Sequence, residues 1–188
     1  MENLVALNCP NCGAATTNHK NCEYCGSLLV RFVDKQIEIN QMAYSKESFI
    51  FAGLKTALKR NLDLQVASNG KNFVCTDADI LGIPKCGAQF FPSDSLPHSN
   101  GGLVFPLAKT PSISLNLYFA EQPNELGKFK QMDIFPFFVD VSWNNLPVYA
   151  IDFGEDYIGA AQIFTHIAKE VYGATEKDEC KCETWEES

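Results

Sequence analysis

Four of the eight cysteines in this 188-residue chain stand in two copies of one pattern, Cys9-Pro-Asn-Cys12-Gly13 and Cys22-Glu-Tyr-Cys25-Gly26, with nine residues between Cys12 and Cys22. Each copy places two thiols on one tight turn, so that both sulfurs reach a single ion at about 2.3 Å, and two such turns facing each other complete a tetrahedron. Gly13 and Gly26 can take positive φ, which lets the chain curl until backbone N–H groups point at thiolate sulfur. Four thiolates in a tetrahedron suit zinc, with iron the chemical alternative. The expectation is one structural Zn2+ held by Cys9, Cys12, Cys22 and Cys25. Four sulfurs close the coordination sphere, leaving no position for water or substrate, so zinc-activated hydrolysis is not expected there.

Residues 9–29 resemble a short zinc ribbon, with Cys9-Pro-Asn-Cys12-Gly13 as the first knuckle and Cys22-Glu-Tyr-Cys25-Gly-Ser-Leu-Leu29 as the second. The resemblance implies a structural metal and no particular activity, since such ribbons occur in transcription and translation factors, in enzymes and in many other bacterial proteins. The loop between the knuckles is shorter than the usual C-x2-C-x15–20-C-x2-C arrangement, which leaves little room for an extended reading surface.

The other cysteines match no zinc spacing. Cys75 lies in an apolar run and reads as a small core residue; Cys86, beside Gly87, reads as partly exposed; Cys180 and Cys182 read as free thiols. A thiol enzyme would need Cys75 or Cys86 near His98 or His166, with a third group orienting the imidazole. The chain has three histidines. His166 falls in a helical stretch, His98 in a polar loop, and His19 between the knuckles, where it could only substitute as a ligand. Asp77 with Asp79 suits a strand-end turn, and Glu155 with Asp156 a helix N-terminus. No glycine-rich phosphate loop, G-x-S-x-G elbow or H-E-x-x-H is present. No catalytic constellation is therefore expected.

Composition narrows the class further. With 46% hydrophobic and 20% charged residues the chain can bury a real core. Fifteen basic against 23 acidic side chains give a net charge of −8, which argues against a protein that grips phosphate backbones. Zinc bound by four thiolates would make it more acidic still. The first residues lack the basic start and apolar stretch of a secretory signal, and the longest apolar runs, Leu103–Ala108 and Ile134–Val139, are far shorter than the ~20 residues a membrane span needs. These features point to the cytoplasm. Residues 174–188 carry six acidic and two basic residues and one large apolar side chain, Trp185, and read as an acidic, disordered tail.

The elements between ribbon and tail follow from periodicity. Ser45 can cap a helix over about 46–61, with Ile50, Leu54, Ala57, Leu58 and Leu62 on one face. Leu62–Ala67 alternates with period two, and Asn69-Gly70 then suggests a hairpin to Lys71–Thr76. Residues 77–111 read as a long loop. Ile113, Leu115, Leu117 and Phe119 share one face of a strand whose other side is solvated. Phe135–Val141 and Leu146–Phe153 read as two more strands, and 156–172 as a helix closed by Gly173. The aromatics Phe135, Phe138 and Trp143 would mark a partner surface if exposed.

The sum is an α+β fold: an N-terminal zinc ribbon (1–30), then a mainly antiparallel sheet packed against two helices (31–173), then the tail. The α-β-β … β-β-α order is similar to that of small secretion-chaperone-like domains, which implies a domain that acts by holding partners. The expected function is a zinc-binding intracellular adaptor that contacts another protein. The alternative is an enzyme with its site under the 77–111 loop, using Asp77, Asp79, Cys86 or His98. A third class, nucleic-acid binding through the ribbon, has only Lys20, Arg31 and Lys35 to work with.

Overall fold

The structure of the protein, a computed structural model, describes residues 7–8, 15–16, 48–92, 111–142 and 145–187. Two short strands, β1 (Leu7–Asn8) and β2 (Ala15–Thr16), pair antiparallel with Leu7 opposite Thr16 and Asn8 opposite Ala15. The four cysteines of the two knuckles, like His19, His98 and Trp143, lie outside the described residues.

The remainder is α+β, as expected, with a six-stranded antiparallel sheet and, among the described residues, three helices where two were expected. Along the chain come α1 (Phe49–Ala67), β3 (Phe73–Ile80), β4 (Gly87–Phe91), β5 (Ser114–Tyr118), α2 (Pro123–Gln131), β6 (Val139–Asp140), β7 (Val148–Asp152), α3 (Tyr157–Tyr172) and β8 (Cys180–Glu187). The strand order is β6-β7-β5-β4-β3-β8. α1 packs on α3, β3 and β8, while α3 packs on β5 and α2. The main core lies between these helices and one sheet face, where Ala78, Ile80, Ala88, Phe90, Leu115, Leu117, Tyr149 and Ile151 alternate inward.

α1 starts later and ends later than its pattern suggests. Ser48, not Ser45, caps it, accepting from Phe51 N at 3.4 Å. The helix then continues through the segment expected to be a strand. The reason is that two polar residues complete its buried stripe: Asn61 and Gln65 are buried beside Leu58 and Leu62, whereas Val66 is 63% exposed. The period-two alternation of Leu62–Ala67 therefore does not mark a buried face. Asn69 and Gly70, with φ of 55° and 69°, close the helix instead of a hairpin, and Gly70 N donates back to Gln65 O at 3.0 Å.

The expected 77–111 loop is in its first part sheet. β3 runs on to Ile80, and a turn containing Gly82 and Lys85 at positive φ returns the chain into β4. Residues 93–110 lie outside the described residues. β5 lies where expected, and Ile113, Leu115, Leu117 and Phe119 all enter the core. Its opposite side is not solvated, however, because Ser114 and Asn116 are fully buried.

α2 was not visible as a period. It begins at Pro123 and commits a single fully buried side chain, Phe129, to the core. Phe129 organises the aromatics around it: Phe119 stacks on it at 5.1 Å, and Phe135 and Phe138 meet it edge-on at 5.3 and 4.9 Å. That clustering explains why 135–141 is not one strand. Phe135–Phe137 coils as a 3-10 turn to keep its rings on Phe129, and only Val139–Asp140 pairs with β7. Phe135 and Phe138 are thus core, not partner surface.

α3 matches its expected span. Asp156 caps it by accepting from Gly159 N at 2.8 Å, and Gly173 ends it at φ 76°. The expected disordered tail is the largest correction. Residues 180–187 form β8, paired with β3 over eight positions from Phe73 opposite Glu187 to Ile80 opposite Cys180. Its charges alternate with half-buried residues, so Lys181 and Glu183 face outward while Cys180, Cys182 and Thr184 turn toward the helices. A solvated composition and an ordered edge strand are compatible in this register. No described helix is long and apolar enough to cross a membrane.

Candidate functional site

The face of the sheet turned away from α1 and α3 carries the polar side chains that could act on a ligand. In the β3–β4 register Asp77 stands opposite Gln89 and Asp79 opposite Gly87. Asp77 is a hub. Gln89 Nε2 donates to its Oδ1 at 2.7 Å, and Trp185 Nε1 of β8 donates to its Oδ2 at 2.8 Å. Cys75 Sγ points at the same Oδ1 from 3.9 Å. The Tyr118 hydroxyl, from β5, donates to Gln89 Oε1 at 2.7 Å, so Gln89 uses both ends of its amide to join Tyr118 to Asp77.

This network floors an open cleft of about 620 Å³ whose walls include Asp77, Asp79, Gln89, Tyr118, Glu121 and Glu183. Lys85 also lines it and binds Glu121 Oε2 at 3.2 Å. Gly87 sets the cleft's shape: a Cβ there would stand 2.5 Å from Asp79 Oδ1 and 3.0 Å from Ala78 O. The Asp79 carboxylate lies over β4 because that residue has no side chain. Chemically the cleft offers acceptors, and it suits a cationic or hydrogen-donating group. Burial, with the nearby Cys75 and Asp77, pushes the Tyr118 hydroxyl up to about 12, so at neutral pH it acts as a donor and not a base.

The thiols singled out in the sequence do not join this network as nucleophiles. Cys75 is buried, as expected, and burial pushes it up to about 12, with Asp77 adding to the effect. Cys86 is not partly exposed but fully buried, and it sits in the helix-side core, so it does not share the cleft with Asp77 and Asp79. Burial, reinforced by Asp79 and Asp178, pushes its thiol also up to about 12. A thiolate is the nucleophilic form, and neither group supplies it near pH 7. His166 is half-buried on α3, with its pKa lowered by burial. The two carboxylates expected together, Asp77 and Asp79, do share the cleft; Glu155 and Asp156 stand at the α3 N-terminus, where Asp156 is a cap.

The sequence gives no sign that Gln89, Tyr118 and Trp185 gather around Asp77. Tyr118 shares its strand parity with Ser114 and Asn116, so the alternation of β5 already assigned it to the polar side. Gln89 lay in a stretch read as loop, and Trp185 in one read as tail. A group of three or more His, Cys, Asp or Glu side chains able to hold a metal ion is absent among the described residues. No family model matches the chain, and no curated protein or solved structure compared with it does so either.

Proposed function

We propose that the protein is a zinc-binding intracellular adaptor: Cys9, Cys12, Cys22 and Cys25 hold one structural Zn2+, and the ribbon so formed, together with the α+β unit, contacts another protein. The observation that carries this reading is the pairing of Leu7–Asn8 with Ala15–Thr16, which draws together the chain on either side of Cys9 and Cys12. The donor set is the other support, since two C-x-x-C-G turns supply the four soft ligands that zinc takes. The zinc would supply folding free energy to a segment too small to bury a core of its own, and no reaction step.

The α+β unit adds to this reading. Its Cys75 and Cys86 thiols are pushed up, its central carboxylate is taken up by hydrogen bonds from Gln89 and Trp185, and its cleft is open and acidic. The enzymatic alternative keeps Asp77 and Asp79 but loses Cys86 from the same cleft.

The test is affinity capture from the native cell, comparing wild type with a Cys9→Ser, Cys22→Ser variant whose α+β unit is verified as folded by circular dichroism. The adaptor reading predicts a stoichiometric protein partner that the variant loses. The same partner retained by the variant, or none with the wild type, contradicts it.

A further inference from the structure

β8 carries Cys180 and Cys182 two residues apart, hence on one side of the strand, opposite Ile80 and Ala78 of β3. Both side chains are half-buried against the helix-side core, and their Sγ atoms stand 3.4 Å apart. α1 passes close by at Gly53, where a Cβ would meet Cys180 O at 3.5 Å and Cys180 Cβ at 3.9 Å. Of the four cysteines among the described residues, these two alone retain solvent access.

The two thiols ionise unequally. The hydrogen bond from Cys180 to Cys182 lowers the Cys182 pKa, although burial opposes this. The same hydrogen bond, then burial and the charges of Cys182, Cys86 and Asp79, raise that of Cys180. The first proton to leave the pair therefore leaves Cys182. The geometry supplies an attacking sulfur and a resolving one already in contact.

We propose that Cys180 and Cys182 form a redox site at which a low-molecular-weight disulfide, such as glutathione disulfide, oxidises the dithiol to an intramolecular Cys180–Cys182 disulfide and so loosens β8 from β3. The Cys182 thiolate attacks one sulfur of the small disulfide. That S–S bond breaks, a mixed disulfide forms on Cys182, and the first small thiolate leaves and takes a proton. Cys180 then gives its proton to solvent and attacks the Cys182 sulfur, expelling the second small thiolate. The protein loses two electrons and two protons, and the small disulfide becomes two thiols.

Strand geometry makes the product a switch. Cα atoms two residues apart on a strand lie about 6.6–6.8 Å from each other, at the far edge of the 4.4–6.8 Å range a disulfide accepts. Closing the bond requires β8 to pucker at Lys181, which stands opposite Asp79 in the ladder. A disulfide strained in this way is readily reduced again, as labile regulatory ones are.

The full-length chain, incubated in glutathione buffers of stepped ratio, is trapped by alkylation, unfolded and digested at lysine. The proposal predicts that Cys180 and Cys182 together escape alkylation, that peptides 178–181 and 182–188 stay joined and lighter by two hydrogen atoms, and that added reductant restores both thiols. Trp185 fluorescence shifts in parallel, because the pucker disturbs its bond to Asp77. Cys180→Ser should accumulate one glutathione on Cys182, and Cys182→Ser one on Cys180, with neither variant closing an intramolecular disulfide between these positions. A stable glutathione adduct on the wild type, or reaction only after unfolding, overturns the proposal. So does a closed disulfide that leaves Trp185 unchanged, since β8 would not then have moved.

Discussion

Asn61 Nδ2 donates to Thr76 Oγ1 at 3.0 Å, its Oδ1 accepts from Gln65 Nε2 at 2.7 Å, and Gln65 in turn bonds both the N–H and the carbonyl of Ser112. Thr76 Oγ1 also meets Thr184 Oγ1 of β8 at 2.9 Å. One chain of buried amides and hydroxyls thus ties α1 to β3, to β8 and to the residues just before β5. Removing its middle member strands several partners at once, so Asn61→Ala should cost about 2–3 kcal/mol in urea unfolding, with an unchanged slope. Val66, one turn away but exposed, provides the control: Val66→Ala should change stability by less than about 0.5 kcal/mol. The thiols give a second test at this scale. In the folded protein at pH 7.5, alkylation should reach Cys182 before Cys75 or Cys86, whose raised pKa values reflect burial. His166 gives a third. Burial lowers its pKa from 6.5, so the unfolded chain binds the proton more readily than the folded one. Its share of stability is intact above pH 6.5 and falls as pH drops through that value toward the folded pKa. His166→Gln should flatten the decline in melting temperature over that window; an unchanged slope would remove His166 from the acid response.

The elements differ in how plainly the sequence announces them, and the difference has physical causes. α3 is legible because an amphipathic period, an acidic cap and a C-terminal glycine agree, and β5 because its alternating leucines all go inward. α1 is half legible: its apolar stripe locates it, but its last turn is buried through Asn61 and Gln65, which hydrophobic periodicity does not register. α2 rests on Phe129 alone, too little for a period. β8 is the hardest case, because an edge strand with one half-buried side reads as solvated sequence until its partner is known. The ladder with β3 makes a prediction for this element. Ending the chain at Glu179 should remove the Trp185 and Thr184 contacts, lower the melting temperature and raise hydrogen exchange along β3, where an uncoupled tail would leave both unchanged. The candidate site followed the same pattern: Asp77 and Asp79 were identifiable as a pair, while their neighbours Gln89 and Trp185 became neighbours only through strand pairing.

For the molecule as a whole, the described sheet and its helix layer form one continuous core, with the helix-side cluster reaching from Ile50 on α1 to Val171 on α3 and Ala174 beyond it. The other sheet face holds a second cluster of Cys75, Phe91, Val141, Val148 and Ala150 beside the acidic cleft. A net charge of −8 and a cleft walled by carboxylates agree in sign, so a partner that binds there should carry basic groups and bind more weakly as salt rises. The proposed ribbon stands apart from this in chemistry: it depends on thiolate ligation rather than on buried area. Metal analysis of the purified full chain tests that dependence most directly. One zinc per chain, retained through dialysis and lost in the Cys9→Ser, Cys22→Ser variant while the α+β unit keeps its circular dichroism, is the predicted result. A wild-type chain that holds no more zinc than this variant would contradict the account.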